Sequence, residues 1–204
     1  MLRGETGKSW RPSLLTRRNF LLGGVAFVSL LPAAEQAEAQ GLQDILRGII
    51  PGMGISTVSY STRYAPGTIV VEPNKFALYL ITSRGRARRY PIGVGAEGRG
   101  FRGTGRIGRK AEWPSWTPTP AMIARDPKKY KKYAGGVPGG RGNPLGSRAL
   151  YLYRGGSDSF FRIHGTNQPS TIGRRVSAGC IRMHNSHVND LYNRVPVGAT
   201  IIVK

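Results

Sequence analysis

Cys180 is the single cysteine of this 204-residue chain. It lies in Ser177-Ala178-Gly179-Cys180-Ile181-Arg182-Met183, downstream of His164-Gly165-Thr166. One cysteine forms no disulfide within its own chain, so the thiol serves either packing or chemistry. A thiol attacks as the thiolate, and a free cysteine ionises near pH ~8.5. A neighbouring imidazole can take that proton and hold the thiolate as an ion pair, which makes the two residues a candidate for acyl transfer. Gly179 lets the backbone approach a substrate closely, and the N–H groups of Gly179 and Cys180 are the candidate donors to a developing oxyanion. The opposing reading is a small buried cysteine and a core histidine. On residue type and spacing alone the two readings stand level.

Two other chemistries are weaker. His164, Cys180 and His184 offer three metal ligands, but no acidic general base lies near them in sequence. Gly93-Val94-Gly95-Ala96-Glu97-Gly98 has the glycine spacing of a dinucleotide-binding loop. Such a loop must open a helix whose N-terminus holds the pyrophosphate. Arg99-Gly100-Phe101-Arg102-Gly103-Thr104-Gly105 cannot begin a stable one, so turns are expected and neither metal nor cofactor is implied.

The elements that must position the pair are mostly strands. Residues 68–72 and 75–82 flank Pro73-Asn74 as a hairpin, and 87–95 returns as a third strand. Residues 149–153 and 159–163 pair around Gly155-Gly156-Ser157-Asp158, and 200–203 is a last strand. His164 therefore ends a strand, while Cys180 sits in a turn before a helix. That helix carries Val188, Leu191, Tyr192 and Val195 on one face, with Asn185 or Ser186 as its cap. Many short strands with glycine-rich turns predict a mostly β sandwich or barrel with one or two short helices.

Residues 96–148 are rich in glycine, proline and arginine. A stretch of this length inside a compact domain is expected to be functional or mobile. Trp113 and Trp116, each beside proline, form a stiff aromatic ledge that either lines a groove or covers a sheet edge. Lys128-Lys129-Tyr130-Lys131-Lys132-Tyr133 reads as a solvated face.

The N-terminal region reads as an export signal. Arg3, Lys8 and Arg11 precede Thr16-Arg17-Arg18-Asn19-Phe20-Leu21, a twin-arginine pattern. The apolar run 20–31 is too short to span a hydrocarbon core of about 30 Å, and Ala37-Glu38-Ala39 fits a cleavage site. Residues 1–39 are assigned to the signal, 40–66 to a lead-in helix and linker, and 67–204 to the catalytic domain. The chain carries 31 Lys/Arg against 10 Asp/Glu, so it favours polyanions. Outside the cytoplasm these are carboxylates of wall peptides, wall polymers and lipid head groups rather than nucleic acid.

His164-Gly165-Thr166-Asn167, then Ser177-x-Gly179-Cys180-Ile181-Arg182-Met183-x-Asn185 and Asp190-Leu191-Tyr192, resembles the L,D-transpeptidase (YkuD-type) catalytic domain. Tyr90-Pro91-Ile92-Gly93-Val94-Gly95, residues 113–122 and Asn143-Pro144-Leu145-Gly146 resemble its periplasmic Gram-negative branch. The resemblance implies that Cys180 attacks the third residue of a peptidoglycan stem tetrapeptide and releases D-alanine. An amine acceptor then takes the acyl group, giving a 3→3 crosslink or attaching an outer-membrane protein or lipoprotein to the wall. Release to water, an L,D-carboxypeptidase activity, is the alternative; a wall-binding module without catalysis is another. His164 is implied as the base and the Gly165 carbonyl as its orienting partner. Arg182, Ser177, Trp113 and Trp116 are implied to face substrate, and carbapenem-type β-lactams to inhibit. Many members carry histidine where this chain has Ala178, which removes any second imidazole beside the thiol. His184 is expected at the surface and Asn185 as a helix cap.

Overall fold

The computed structural model describes residues 54–204; the signal 1–39 and the helix expected near 42–50 lie outside the described residues. Among the described residues there are eleven strands: β1 (Ser56–Ser59), β2 (Ile69–Glu72), β3 (Ala77–Ser83), β4 (Arg86–Pro91), β5 (Val94–Gly95), β6 (Gly103–Glu112), β7 (Arg148–Arg154), β8 (Ser157–His164), β9 (Arg175–Ser177), β10 (Ile181–Arg182) and β11 (Thr200–Val203). Three helices are α1 (Pro120–Arg125), α2 (Pro127–Tyr130) and α3 (Asn185–Arg194). Nine strands form one mixed sheet in the order β1-β4-β3-β2-β11-β6-β7-β8-β10, and β5 pairs with β9 apart from it.

The sheet curls around its main core. Tyr90 on β4, Ile107 on β6, Leu150 and Leu152 on β7, Ile163 on β8 and Ile181 on β10 all join one buried cluster. Strands from both ends of the sheet reach that cluster only if the sheet bends over it, which gives the expected sandwich-to-barrel architecture. Gly93 and Arg182 exchange backbone hydrogen bonds of 2.8 Å and so link the two ends. A Cβ on Gly93 would come within 2.5 Å of the Thr171 carbonyl oxygen, so that approach needs glycine.

The run Ile69-Val70-Val71 is fully buried because β2 is covered on both faces. Ile69 and Val71 face the main core, while Val70 joins Tyr79, Ile81 and Ala87 in a second cluster under Val58, Tyr60 and Tyr64. The sheet thus begins inside the segment assigned to the lead-in. Strand β1 pairs antiparallel with β4, and the chain after it roofs β2 and β3.

Three local expectations change. The run 87–95 is two strands, because the chain leaves β4 at Ile92 and β5 pairs with β9 instead. Strand β6 lies within the stretch read as irregular. Its glycines hide it: a Cβ on Gly108 would sit 2.2 Å from the Tyr153 ring, and one on Gly105 2.7 Å from the Phe101 ring. Packing, not turn formation, requires glycine there. Finally, α3 starts one residue after His184, which is its cap position by backbone alone.

Asp190 fixes α3 to the sheet. It accepts from Arg88 Nε at 2.8 Å, Tyr90 OH at 2.6 Å and Arg194 Nε at 3.0 Å. Burial raises its pKa, but the hydrogen bonds from Tyr90, Arg88 and Arg194 outweigh burial and hold the carboxyl below its ordinary range. Asp190→Asn is expected to lose about 1–3 kcal/mol of unfolding free energy at neutral pH. The carboxylate contribution is full above the ordinary carboxylate pKa and fades as pH falls through the lowered value. Denaturant melts should therefore show the gap between wild type and variant narrowing below about pH 4.

Candidate active site

Strand alternation places the chemistry. Strands β8 and β10 are parallel neighbours, with Ile181 level with Ile163 and Arg182 level with His164. Successive side chains point to opposite faces, so the two isoleucines enter the core together. His164, Arg182 and Cys180, one residue either side of those isoleucines, are turned the other way. All three line one cleft of about 280 Å³.

The imidazole is fixed by its own loop. His164 Nδ1 meets the Gly165 carbonyl oxygen at 2.5 Å. A carbonyl only accepts, so Nδ1 carries the proton and Nε2 keeps the lone pair. Asn185 holds the loop in place. Its Oδ1 accepts from Ser147 N at 3.1 Å and Thr166 N at 3.2 Å, and its Nδ2 donates to Thr166 O at 3.1 Å. A Cβ on Gly165 or Gly146 would lie 2.1 or 2.2 Å from that same Oδ1, so both glycines make room for it. Asn185, read as a helix cap, is a brace between β7, the His164 loop and α3.

The cysteine loop is closed by Ser177. Its hydroxyl donates to the Cys180 carbonyl at 2.6 Å and accepts from Gly179 N at 3.1 Å. The Gly179 N–H, expected to be free for an oxyanion, is therefore occupied. That leaves the Cys180 N–H as the candidate donor of the loop. Ser177 is itself buried and holds the loop's shape. Gly179 has φ +143, and a Cβ there would press within 2.8 Å of the Phe161 ring.

Both reacting groups are held neutral. Burial first, then the positive field of Arg182, lowers the His164 pKa to about 3. Burial pushes the Cys180 thiol up, against an opposing main-chain hydrogen bond from Arg162 and the charge of that arginine. The resting site is thus thiol and imidazole rather than the ion pair expected from the residue types.

The cleft's other wall is a flap built from residues 113–146. Thr119 and Asp126 cap α1 and α2 with side-chain oxygens, and Trp116 and Val137 exchange backbone hydrogen bonds of 2.9 and 2.7 Å. Buried Asn143 ties the return, donating to Val137 O and Pro138 O at 2.9 Å. Trp116 lies against Tyr130 and Tyr133, with ring centroids 6.3 and 5.8 Å away, and all three line the cleft. Trp113 does not; it is 47% exposed with φ +40. The ledge is split, one tryptophan in the groove and one outside it. The lysine–tyrosine run read as a solvated face supplies Lys129, Tyr130, Lys132 and Tyr133 to the cleft. Charge alternating with aromatics was the available signal.

Arg182 is partly buried, and its Nη1 reaches only neutral acceptors, Gln168 Oε1 at 3.3 Å and Thr171 Oγ1 at 3.4 Å. Its Nε is buried without a partner among the described residues. The cleft lining contains Lys129, Lys132 and Arg182 and no carboxylate. His184, expected at the surface, is 2% exposed and packs edge-on against His187 at 5.0 Å. Among the described residues no group of three His, Cys, Asp or Glu is placed to hold a metal.

These features define a class: a mostly β domain with a thiol just before one strand and an imidazole at the end of its parallel neighbour, beneath a basic, aromatic flap. Residues 66–203 match the YkuD family, the L,D-transpeptidase catalytic domain, and the chain belongs to it. A probable L,D-transpeptidase ErfK/SrfK of Escherichia coli K12 is 40% identical over 114 residues, 55% of this chain and 35% of that protein. The matched part thus covers about a third of that relative's length. A crystal structure from Brucella melitensis, described as a probable carnitine operon oxidoreductase, is 49% identical with a TM-score of 0.52, over 76% of this chain and 96% of that one. The redox description is of that protein. Here Gly93–Gly98 runs into turns and then β6, not into a helix. An L,D-transpeptidase of Mycobacterium smegmatis shares the fold at 21% identity and TM-score 0.52, over 73% of this chain and 67% of that one.

A neutral thiol makes a direct prediction. Alkylation of Cys180 by iodoacetamide should accelerate continuously with pH and still be rising at about pH 9. A thiolate–imidazolium pair would instead give a rate plateau across about pH 5–8.

Proposed function

We propose that this protein is a peptidoglycan L,D-transpeptidase working through a Cys180 acyl-enzyme. The observation that carries the proposal is one cleft holding the thiol, an imidazole whose tautomer is set by the Gly165 carbonyl, and cations without a carboxylate. A wall stem tetrapeptide is an acidic peptide, and such a lining favours it over neutral or basic ones.

In the first half-reaction Nε2 of His164 takes the thiol proton as Sγ attacks the carbonyl of the third stem residue. The imidazolium forms only as negative charge forms on the carbonyl oxygen, which the Cys180 N–H receives. Collapse breaks the peptide bond, and His164 gives its proton to the departing D-alanine. In the second half an amine attacks the thioester while His164 takes a proton from that amine; the C–S bond breaks and His164 delivers the proton to sulfur. The Gly165 carbonyl steadies the imidazolium from its other nitrogen. Ala178 occupies the place of the second imidazole of many relatives, so His164 alone handles the proton. The mature protein is placed in the periplasm, exported by the twin-arginine route. The acceptor is another stem's amine or that of an outer-membrane protein or lipoprotein, and carbapenems acylate the same sulfur.

The test is incubation with a disaccharide-tetrapeptide and mass analysis of the products. A crosslinked dimer with free D-alanine is the expected result. Trimmed tripeptide alone would assign an L,D-carboxypeptidase. No product together with an unmodified Cys180 would overturn both.

Arg182, partly buried without an acidic partner, is assigned to a substrate carboxylate. Arg182→Gln is expected to lower kcat/KM by ~10–100-fold, the scale of one charge-assisted hydrogen bond. Steady-state kinetics should show most of that loss in KM, while iodoacetamide still reaches Cys180.

A further inference from the structure

The cysteine loop has a second side. Ser177, Ala178, Cys180 and Arg182 face the cleft described above, whereas Gly179 and Ile181 line a separate cleft of about 270 Å³. The loop around Gly179 thus separates two clefts, one on each side. Cys180 and His164 take no part in the second.

Four arginines line this reverse cleft: Arg99, Arg102, Arg154 and Arg175. Among the described residues none of them pairs with an aspartate or glutamate. Two are held in place by neutral groups. Arg175 donates to Asn74 Oδ1 at 2.5 Å and lies over the Phe76 ring at 5.5 Å. Arg154 donates to the Arg102 carbonyl oxygen and lies over the Phe101 ring at 4.1 Å. Arg102 reaches the main-chain oxygen of Lys204 at 3.3 Å. Glu72, the acid preceding Pro73 of this lining, is already occupied by Lys75 at 2.7 Å, Lys204 at 2.8 Å and Tyr60 at 2.7 Å. Rings and neutral acceptors orient a guanidinium without cancelling its charge. Arg99, Arg154 and Arg175 keep such charges around one opening and repel each other, and an anion relieves the repulsion.

The chemistry of the lining narrows the anion. Guanidinium forks match the several oxygens of a phosphate better than a single point charge. Gly98 and Gly100 form one wall and leave the backbone uncovered, while Val71, Phe101 and Val203 give an apolar floor. From this geometry we infer that the reverse face of the cysteine loop is a binding site for a phosphate-bearing ligand. Its source is either a free phosphorylated compound or an anionic lipid head group. The site is independent of the acyl-transfer reading and stands or falls separately from it.

The test uses the full chain labelled with 15N. Pyrophosphate is titrated at constant ionic strength, with sodium chloride as the control, and the amide signals of Gly95, Gly98, Gly100 and Gly179 are followed. Co-sedimentation with phosphatidylglycerol vesicles, against phosphatidylcholine vesicles, forms the second arm. The paired change Arg154→Gln and Arg175→Gln removes two exposed guanidiniums, and Arg99→Gln provides a second variant that breaks no contact. A saturable shift of these glycines with pyrophosphate, weakened at least ~10-fold in the variants, supports the site with a free phosphate as ligand. Variant-sensitive sedimentation with phosphatidylglycerol alone supports it with a lipid source. Binding that is absent in both arms, or unchanged in both variants, overturns it.

Discussion

Ile163 and Ile181 stand side by side on two parallel strands, and the rest of the site depends on that pairing. Both are buried in the main core, where apolar burial stabilises each by about 1.5–3 kcal/mol. A one-residue slip would turn both into the cleft and drive His164, Cys180 and Arg182 into hydrocarbon. The core therefore sets the register, and the register sets which residues can react. Asn185 completes the arrangement by bracing the His164 loop against β7 and α3.

The same burial explains the state of the reacting groups. A partly buried thiol and a buried imidazole between arginines both resist charge, so the site rests uncharged. In the proposed reaction charge develops only with a substrate present, at a point lined by Arg182, the Cys180 N–H and the Gly165 carbonyl. Such preorganisation favours the transition state over the resting enzyme. It also removes the penalty of keeping a thiolate out of water between turnovers.

Much of this was legible in the chain, and the exceptions have physical causes. The apolar strand that ends at His164 could be read from its residues, whereas residue type and spacing left catalysis and packing level for Cys180 and His164 until the family resemblance was added. The role of the basic helical flap could not be read, since its aromatic residues alternate with exposed lysines and only the tertiary fold sets Tyr130 and Tyr133 along the cleft. Strand β6 was hidden because Gly105 and Gly108 are present for the rings of Phe101 and Tyr153, whereas local propensity treats glycine as a breaker. Ser177 taking up the Gly179 N–H is a hydrogen bond two residues apart, which composition does not reveal. His184 is buried by the docking of α3, a contact made far away in sequence.

In the proposed reaction Cys180 carries the acyl group. Intact-protein mass spectrometry after brief mixing with a stem tetrapeptide, followed by peptide mapping, addresses it directly. The predicted result is a mass increase equal to the tetrapeptide less D-alanine, located on Cys180 and absent from Cys180→Ala. Turnover of the tetrapeptide by Cys180→Ala, or an acyl adduct mapped to any other residue, would contradict the claim.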